Sequence, residues 1–162
     1  MSEAYFLRTA QIGASGVLLI QYRLLKCGIE SAPMTTDAGI DLVAYSPKKR
    51  DAVTIQVKTC LKPKPAGGKG QLQLDWYLPQ PSPVELVGLV NLEKDQAWLF
   101  TLAEYLAKAQ QKKTSHLYFY VDPDYRAPQP QCHERDFEPF TIDRRITELF
   151  GASAPPAITH QI

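Results

Sequence analysis

Asp41-Leu42-Val43-Ala44 and, one turn later, Ile55-Gln56-Val57-Lys58 bring an acid, an amide oxygen and an ammonium into two neighbouring apolar segments. Residues two apart on a strand share a face, so Gln56 and Lys58 look the same way. Phosphodiester hydrolysis needs oxygen ligands for a divalent metal, an activated water and a positive group for the charge that builds on phosphate. Asp41 could bind the metal directly, with the Gln56 side-chain oxygen as a neutral second ligand and the Val57 carbonyl as a third. The Lys58 ammonium could orient the attacking water or stabilise the phosphate. The plain alternative is an ion pair between Asp41 and Lys58 at a strand end, with Gln56 exposed on an edge.

These residues need a hairpin to hold them. The segment 40–46 reads as a strand, Ser46-Pro47-Lys48-Lys49-Arg50-Asp51 as a polar turn, and Ala52 to Thr59 as the returning strand. Before the hairpin, 9–27 reads as a helix, with Ile12, Val17, Ile20, Leu24 and Cys27 at helical spacing and Leu18 and Leu25 widening the stripe. Thr9 is the expected N-cap and Gly28 the stop. Gly13 and Gly16 lower helix propensity, which suggests close approach of backbone or ligand there. The segment 29–38 reads as a connection.

After the hairpin, 62–70 is a loop rich in lysine, proline and glycine, and 71–77 alternates as an extended segment. Val84–Asn91 and Ala97–Thr101 read as strands around a turn at 92–95, followed by a helix over 101–111 whose Leu102, Tyr105, Leu106 and Ala109 share a face. His116–Val121 reads as a last strand, and Asp143 as the N-cap of a short helix ending at Gly151. This order gives a single α/β or α+β domain over 1–151, a central mixed sheet with helices on both sides, and a loose tail over 152–162.

Composition narrows the classes. A net charge of +1 announces no global affinity for nucleic acid, so any basic surface is local. Cys27, Cys60 and Cys132 are an odd set without metal-ligand spacing, which fits reduced thiols and a cytoplasmic location. His133 beside Cys132 lacks the second pair of ligands that a zinc site needs. Glu3 and Arg8 interrupt the start, so no secretory leader is expected, and no apolar run approaches a membrane span.

In order, Ile12-Gly13-Ala14-Ser15-Gly16, Leu24-Leu25-Lys26-Cys27-Gly28, Thr36-Asp37-Ala38-Gly39-Ile40-Asp41-Leu42-Val43 and Ile55-Gln56-Val57-Lys58-Thr59 form a series that resembles the PD-(D/E)xK nuclease superfamily. Within it the series is most similar to Holliday-junction-resolvase-like proteins and to the group I intron homing endonuclease type that carries a QxK motif. The resemblance spans roughly residues 9–60, and Phe137-Glu138-Pro139-Phe140-Thr141 to Leu149-Phe150 is a less specific match to the end of such proteins. It implies a restriction-endonuclease-like fold, with Mg²⁺ at the site and Mn²⁺ as a substitute. Asp41 then matches the metal-binding aspartate, Gln56 the second acidic position and Lys58 the catalytic lysine. Many relatives carry a glutamate on the first helix where Gly16 or Val17 stands here, and Gln21, one turn on, is an auxiliary candidate.

With Asp41 as the one carboxylate, DNA phosphate would supply the missing charge for a hard cation. Alternatively, the chain binds DNA without cutting it, or serves as an interaction domain with no nucleic-acid role. For DNA contact the candidates are Lys48, Lys49 and Arg50 on the hairpin tip and Lys62, Lys64 and Lys69 on the following loop. Trp76 and Tyr77 could touch bases or belong to the core, and Lys112-Lys113 reads as a helix-end cap. A single site cuts one strand, so a homo-oligomer, dimer or tetramer, is expected.

Overall fold

The computed structural model describes residues 6–36 and 38–153. Asp37 and the tail from residue 154 lie outside the described residues. Among the described residues, eight strands and three α-helices follow one another as α1 (Thr9–Lys26), β1 (Glu30–Pro33), β2 (Leu42–Ser46), β3 (Asp51–Cys60), β4 (Lys64–Pro65), β5 (Leu72–Tyr77), β6 (Leu86–Asn91), β7 (Gln96–Thr101), α2 (Leu102–Lys108), β8 (His116–Tyr120) and α3 (Ile142–Phe150).

The strands form two sheets, a five-stranded one in the order β1-β2-β3-β6-β7 and a three-stranded one in the order β4-β5-β8. Only the central β3–β6 pair is parallel, and the other neighbours are antiparallel. All six residues of β6 are buried, as a strand covered on both faces requires. On one face, Ile20 and Leu24 of α1 and Ile142, Ile146 and Phe150 of α3 pack on Leu42, Ala44, Ile55, Val57 and Leu99. Gly88 lets Ile20 onto β6, because a Cβ there would lie 3.2 Å from the isoleucine Cδ1.

On the other face, Val87, Leu89, Trp98 and Phe100 meet Leu74, Trp76, Leu117 and Phe119 of the second sheet and Tyr105 of α2. The central mixed sheet is thus flanked by helices on both faces as expected, α1 and α3 on one and α2 on the other, and the small second sheet beside α2 is an addition that the sequence did not show. Pairing of β5 with β8 joins segments some forty residues apart in sequence, which alternation within either segment does not encode. The corrections are local. β1 lies inside the expected connection, and the cap of α1 is Arg8, with Thr9 inside the helix. Leu18 and Leu25 leave the apolar stripe and stand exposed. Thr141 caps α3, while Asp143 sits in its first turn and pairs with Arg23 at 2.8 Å. Gly28 and Gly151 end their helices at φ +75° and +62°, where glycine bears no Cβ penalty.

Candidate active site

Regular pairing of β2 with β3 ends at Leu42 and Ile55. One residue earlier the Asp41 N–H donates to the Ile55 carbonyl at 2.9 Å, and Asp41 Oδ2 accepts the Val57 N–H at 2.6 Å. The carboxylate thus replaces the next rung of the ladder and lies against the Gln56–Val57 peptide. Its other oxygen has no hydrogen bond among the described residues. The N–H and C=O of one strand residue point to the same side, so the Val57 carbonyl is aimed toward Asp41 as well.

Ile55 and Val57 belong to the core under α1. Strand alternation turns Gln56 and Lys58 to the opposite face, where Cys60 joins the second core. That face is fully covered at β6 and β7 but open at β2, where Val43 is half-buried and Tyr45 exposed. Gln56 and Lys58 therefore sit where the second layer stops.

Gln56 is 9% exposed, and its Oε1 accepts the Ser82 hydroxyl at a loose 3.4 Å. Lys58 is half-buried and has neither a hydrogen bond nor an ion pair among the described residues. Both parts of the plain alternative fail. Asp41 and Lys58 form no ion pair, and Gln56 is buried on a central strand. At the end of β3 the Cys60 Sγ donates to the Asp75 carbonyl at 2.9 Å, tying the two sheets together. Burial there pushes the thiol up to about 11.

The chain is similar in structure to a solved bacterial homing endonuclease, I-Ssp6803I, with a TM-score of 0.58 over 83% of this chain and 89% of that one, at 16% sequence identity. The fold is homing-endonuclease-like. No family model matches the chain, and no curated protein matches it in sequence.

The remaining candidates divide by position. Gln21 Nε2 donates to the Ser31 carbonyl of β1 at 3.4 Å, and Ser31 pairs with Ala44, three residues along β2 from Asp41. Its amide is thus engaged away from the Asp41 end of β2. Lys62, Lys64 and Lys69 are exposed, form no ion pair among the described residues, and follow β3 from its Lys58 end. Lys48, Lys49 and Arg50 stand at the other end of the hairpin, about 20 Å or more along the strand from Gln56. Lys49 is further committed, since its ammonium donates to the Leu149 carbonyl at the end of α3. Lys112 does the same for α2, at the Leu106 and Ala107 carbonyls. Trp76 is a core residue, and Tyr77 is exposed and stacks on His116 at 3.9 Å.

Among the described residues, no three His, Cys, Asp or Glu side chains gather as a metal site. Any cation here would rely on one carboxylate, an amide oxygen and a main-chain carbonyl, all hard oxygen donors of the kind Mg²⁺ takes. Sequence reading missed Ser82. The run Pro79-Gln80-Pro81-Ser82-Pro83 marks a loop, but nothing in its spacing says that it returns to Gln56. None of the described helices is long and apolar enough to cross a membrane.

Proposed function

We propose that the chain is a metal-dependent endonuclease that hydrolyses DNA phosphodiester bonds, a homing-endonuclease or resolvase-like member of the PD-(D/E)xK superfamily. The observation that carries this reading is Lys58, a half-buried ammonium with no anionic partner among the described residues, two residues from a buried Gln56 and next in the chain to Val57, whose N–H the Asp41 carboxylate accepts. Such a cation is free to meet an incoming anion, and phosphate is the anion this fold's neighbour suggests. Asp41, Gln56 Oε1 and the Val57 carbonyl would hold Mg²⁺, or Mn²⁺ in its place, which when bound polarises phosphate and acidifies a coordinated water.

Within that frame Asp41 contributes the single negative charge, and its bond to the Val57 N–H keeps the carboxylate from swinging away. Lys58 orients the attacking water and neutralises charge developing on phosphate. Lys62, Lys64 and Lys69 hold the strand leading from the site. A homo-oligomer, dimer or tetramer, would present two sites to the two strands of a duplex or junction.

A second reading, DNA binding without cleavage, is favoured by the single carboxylate among the candidate ligands. Linear duplex, supercoiled plasmid, single strand and four-way junction offered with Mg²⁺ and with Mn²⁺ separate the two. Cleavage is expected, and Lys58→Ala or Asp41→Asn lowers it by about 10²-fold or more. Asp41→Asn keeps an oxygen for the Val57 N–H and removes only the charge. Both variants cutting at the parent rate would sink the nuclease reading. Salt-dependent binding with no product on any substrate would establish the second one.

A further inference from the structure

β5 and β8 are neighbours in the second sheet, and alternate residues of each strand look to opposite faces. Leu74 and Trp76 of β5 and Leu117 and Phe119 of β8 look inward to the core. Gln73, Asp75 and Tyr77 therefore look outward, paired in register with Tyr120, Tyr118 and His116. Each of these three outer pairs carries an aromatic ring. Tyr77 lies flat against His116, with centroids 3.9 Å and planes 8° apart. The row runs on from His116 to Tyr118 at 5.4 Å and from Tyr118 to Tyr120 at 5.9 Å. None of the three tyrosines belongs to either apolar core. Tyr77 is 52% exposed, and Tyr118 and Tyr120 are half-buried.

The row is held in place. His116 Nε2 and Asp75 Oδ2 are 3.2 Å apart, and His116 exchanges both main-chain hydrogen bonds with Gln111. The Gln110 amide accepts the Tyr118 N–H at 3.0 Å and donates to the Tyr118 carbonyl at 2.6 Å. The Tyr120 N–H donates to the Cys132 carbonyl at 2.7 Å. These bonds use the outward N–H groups of β8, so its free edge is not open to a further strand. What the sheet offers is ring surface. Cations flank it on the β4 side, where Lys64 pairs in register with Gln73, and Lys62 and Lys69 stand before and after β4. All three are exposed and form no ion pair among the described residues. Asp75, the acid within the row, is engaged by His116, and the exposed Asp122 and Asp124 lie past the end of β8.

We propose that this face binds a single strand of DNA, with bases stacked on Tyr77, Tyr118 and Tyr120 and phosphates on Lys62, Lys64 and Lys69. The choice of DNA rests on the nuclease reading above, which this inference narrows to substrates carrying an unpaired strand beside the cut. Ring faces lined by cations suit a single strand, because every base has a π-face. The Tyr118 and Tyr120 planes differ by 74° and their centroids stand 5.9 Å apart, wider than the about 3.4 Å step of stacked bases. Bases lying on both rings are therefore unstacked from one another. A continuous duplex keeps its base faces covered and has none to give.

Fluorescence anisotropy of a labelled oligothymidylate, without divalent metal, tests this against an abasic strand of equal length and a blunt duplex. The oligothymidylate is expected to bind about tenfold or more tighter than the abasic strand, which has the phosphates and lacks the bases. Tyr77→Ala, Tyr118→Ala and Tyr120→Ala should each weaken oligothymidylate by about fivefold or more and leave the abasic strand within about twofold. The matching Tyr→Phe variants, which keep the ring, should stay within about twofold of the parent on both. Thermal melting checks that each variant is folded. Equal affinity for the two single strands, or tighter binding of the duplex, overturns the proposal. So do alanine variants that leave oligothymidylate binding unchanged or weaken both strands alike. Displacement of the oligothymidylate by polyglutamate of equal charge also overturns it and marks the face as a site for an acidic protein. Because no metal is present, these outcomes are independent of cleavage. Failure here leaves the metal site standing, and loss of the nuclease reading leaves a measured single-strand preference intact.

Discussion

Gly13 and Gly16 lie one turn apart on α1 and meet opposite surroundings. A Cβ on Gly16 would fall 1.9 Å from Thr59 Oγ1 and 2.9 Å from the threonine Cβ and Cγ2, so this glycine lets the helix down onto β3. Nothing lies within 4 Å of a Cβ on Gly13. Gly16→Ala should therefore cost about 1–3 kcal/mol by overpacking. Gly13→Ala should gain up to about 1 kcal/mol from helix propensity. Urea unfolding of the two variants beside the parent measures both, and a destabilised Gly13→Ala would show that the open space is illusory. The close approach was legible in the sequence as two glycines on an apolar helix. Which of them faces the sheet was not, because propensity sees the helix and not its neighbour. Gln56 has the same history. Its position between Ile55 and Val57 signalled a polar group on a covered strand, but the Ser82 hydroxyl arrives from 26 residues downstream.

At the scale of elements, β3 carries the site and is held from both sides, antiparallel to β2 and parallel to β6. Its β2 hairpin was legible because the turn residues are local and the apolar runs flank them directly. β1 was not, as four mostly exposed residues ending in proline leave no alternation to read. Away from the site, Arg145 of α3 binds the α2 layer and β7 together. Its guanidinium pairs with Glu104 and Glu148 at 2.6 Å each, donates to the Leu99 carbonyl at 3.2 Å, and lies 5.6 Å from the Phe140 ring centre. Arg145→Met fills much of the space but leaves Glu104 without its cation and the Leu99 carbonyl without this donor. The variant should lose about 1–3 kcal/mol in chemical denaturation. A loss below about 0.5 kcal/mol would mean that the network is only a surface arrangement.

For the molecule as a whole, the cations candidate for DNA separate into two groups at opposite ends of β3. Lys62, Lys64 and Lys69 lie beyond the site end, and Lys48, Lys49 and Arg50 at the hairpin tip. The proposed site orients bound DNA, so the near group should carry most phosphate contacts. Replacing Lys62, Lys64 and Lys69 with alanine should reduce the slope of log K against log salt by about 2–3. Replacing Lys48 and Arg50 should change it by less than about 1. A fluorescence-anisotropy titration at several salt concentrations reads both, and the reverse order would place the duplex across the hairpin tip.

By itself the sequence determined the β2–β3 hairpin, the shared face of Gln56 and Lys58, the helical α1 and the two glycine stops, all of which follow from periods and turn residues within a few positions. It also supplied the motif series on which the nuclease proposal rests. Only the tertiary structure decided what covers each face. It added a second sheet beside α2, left the margin at Gln56 and Lys58 open, denied Lys58 the ion pair with Asp41, and brought Ser82 to the buried amide. The physical reason is that alternation records which side of a strand avoids water. What supplies the cover, or the partner for a buried polar group, depends on pairings between segments far apart in the chain.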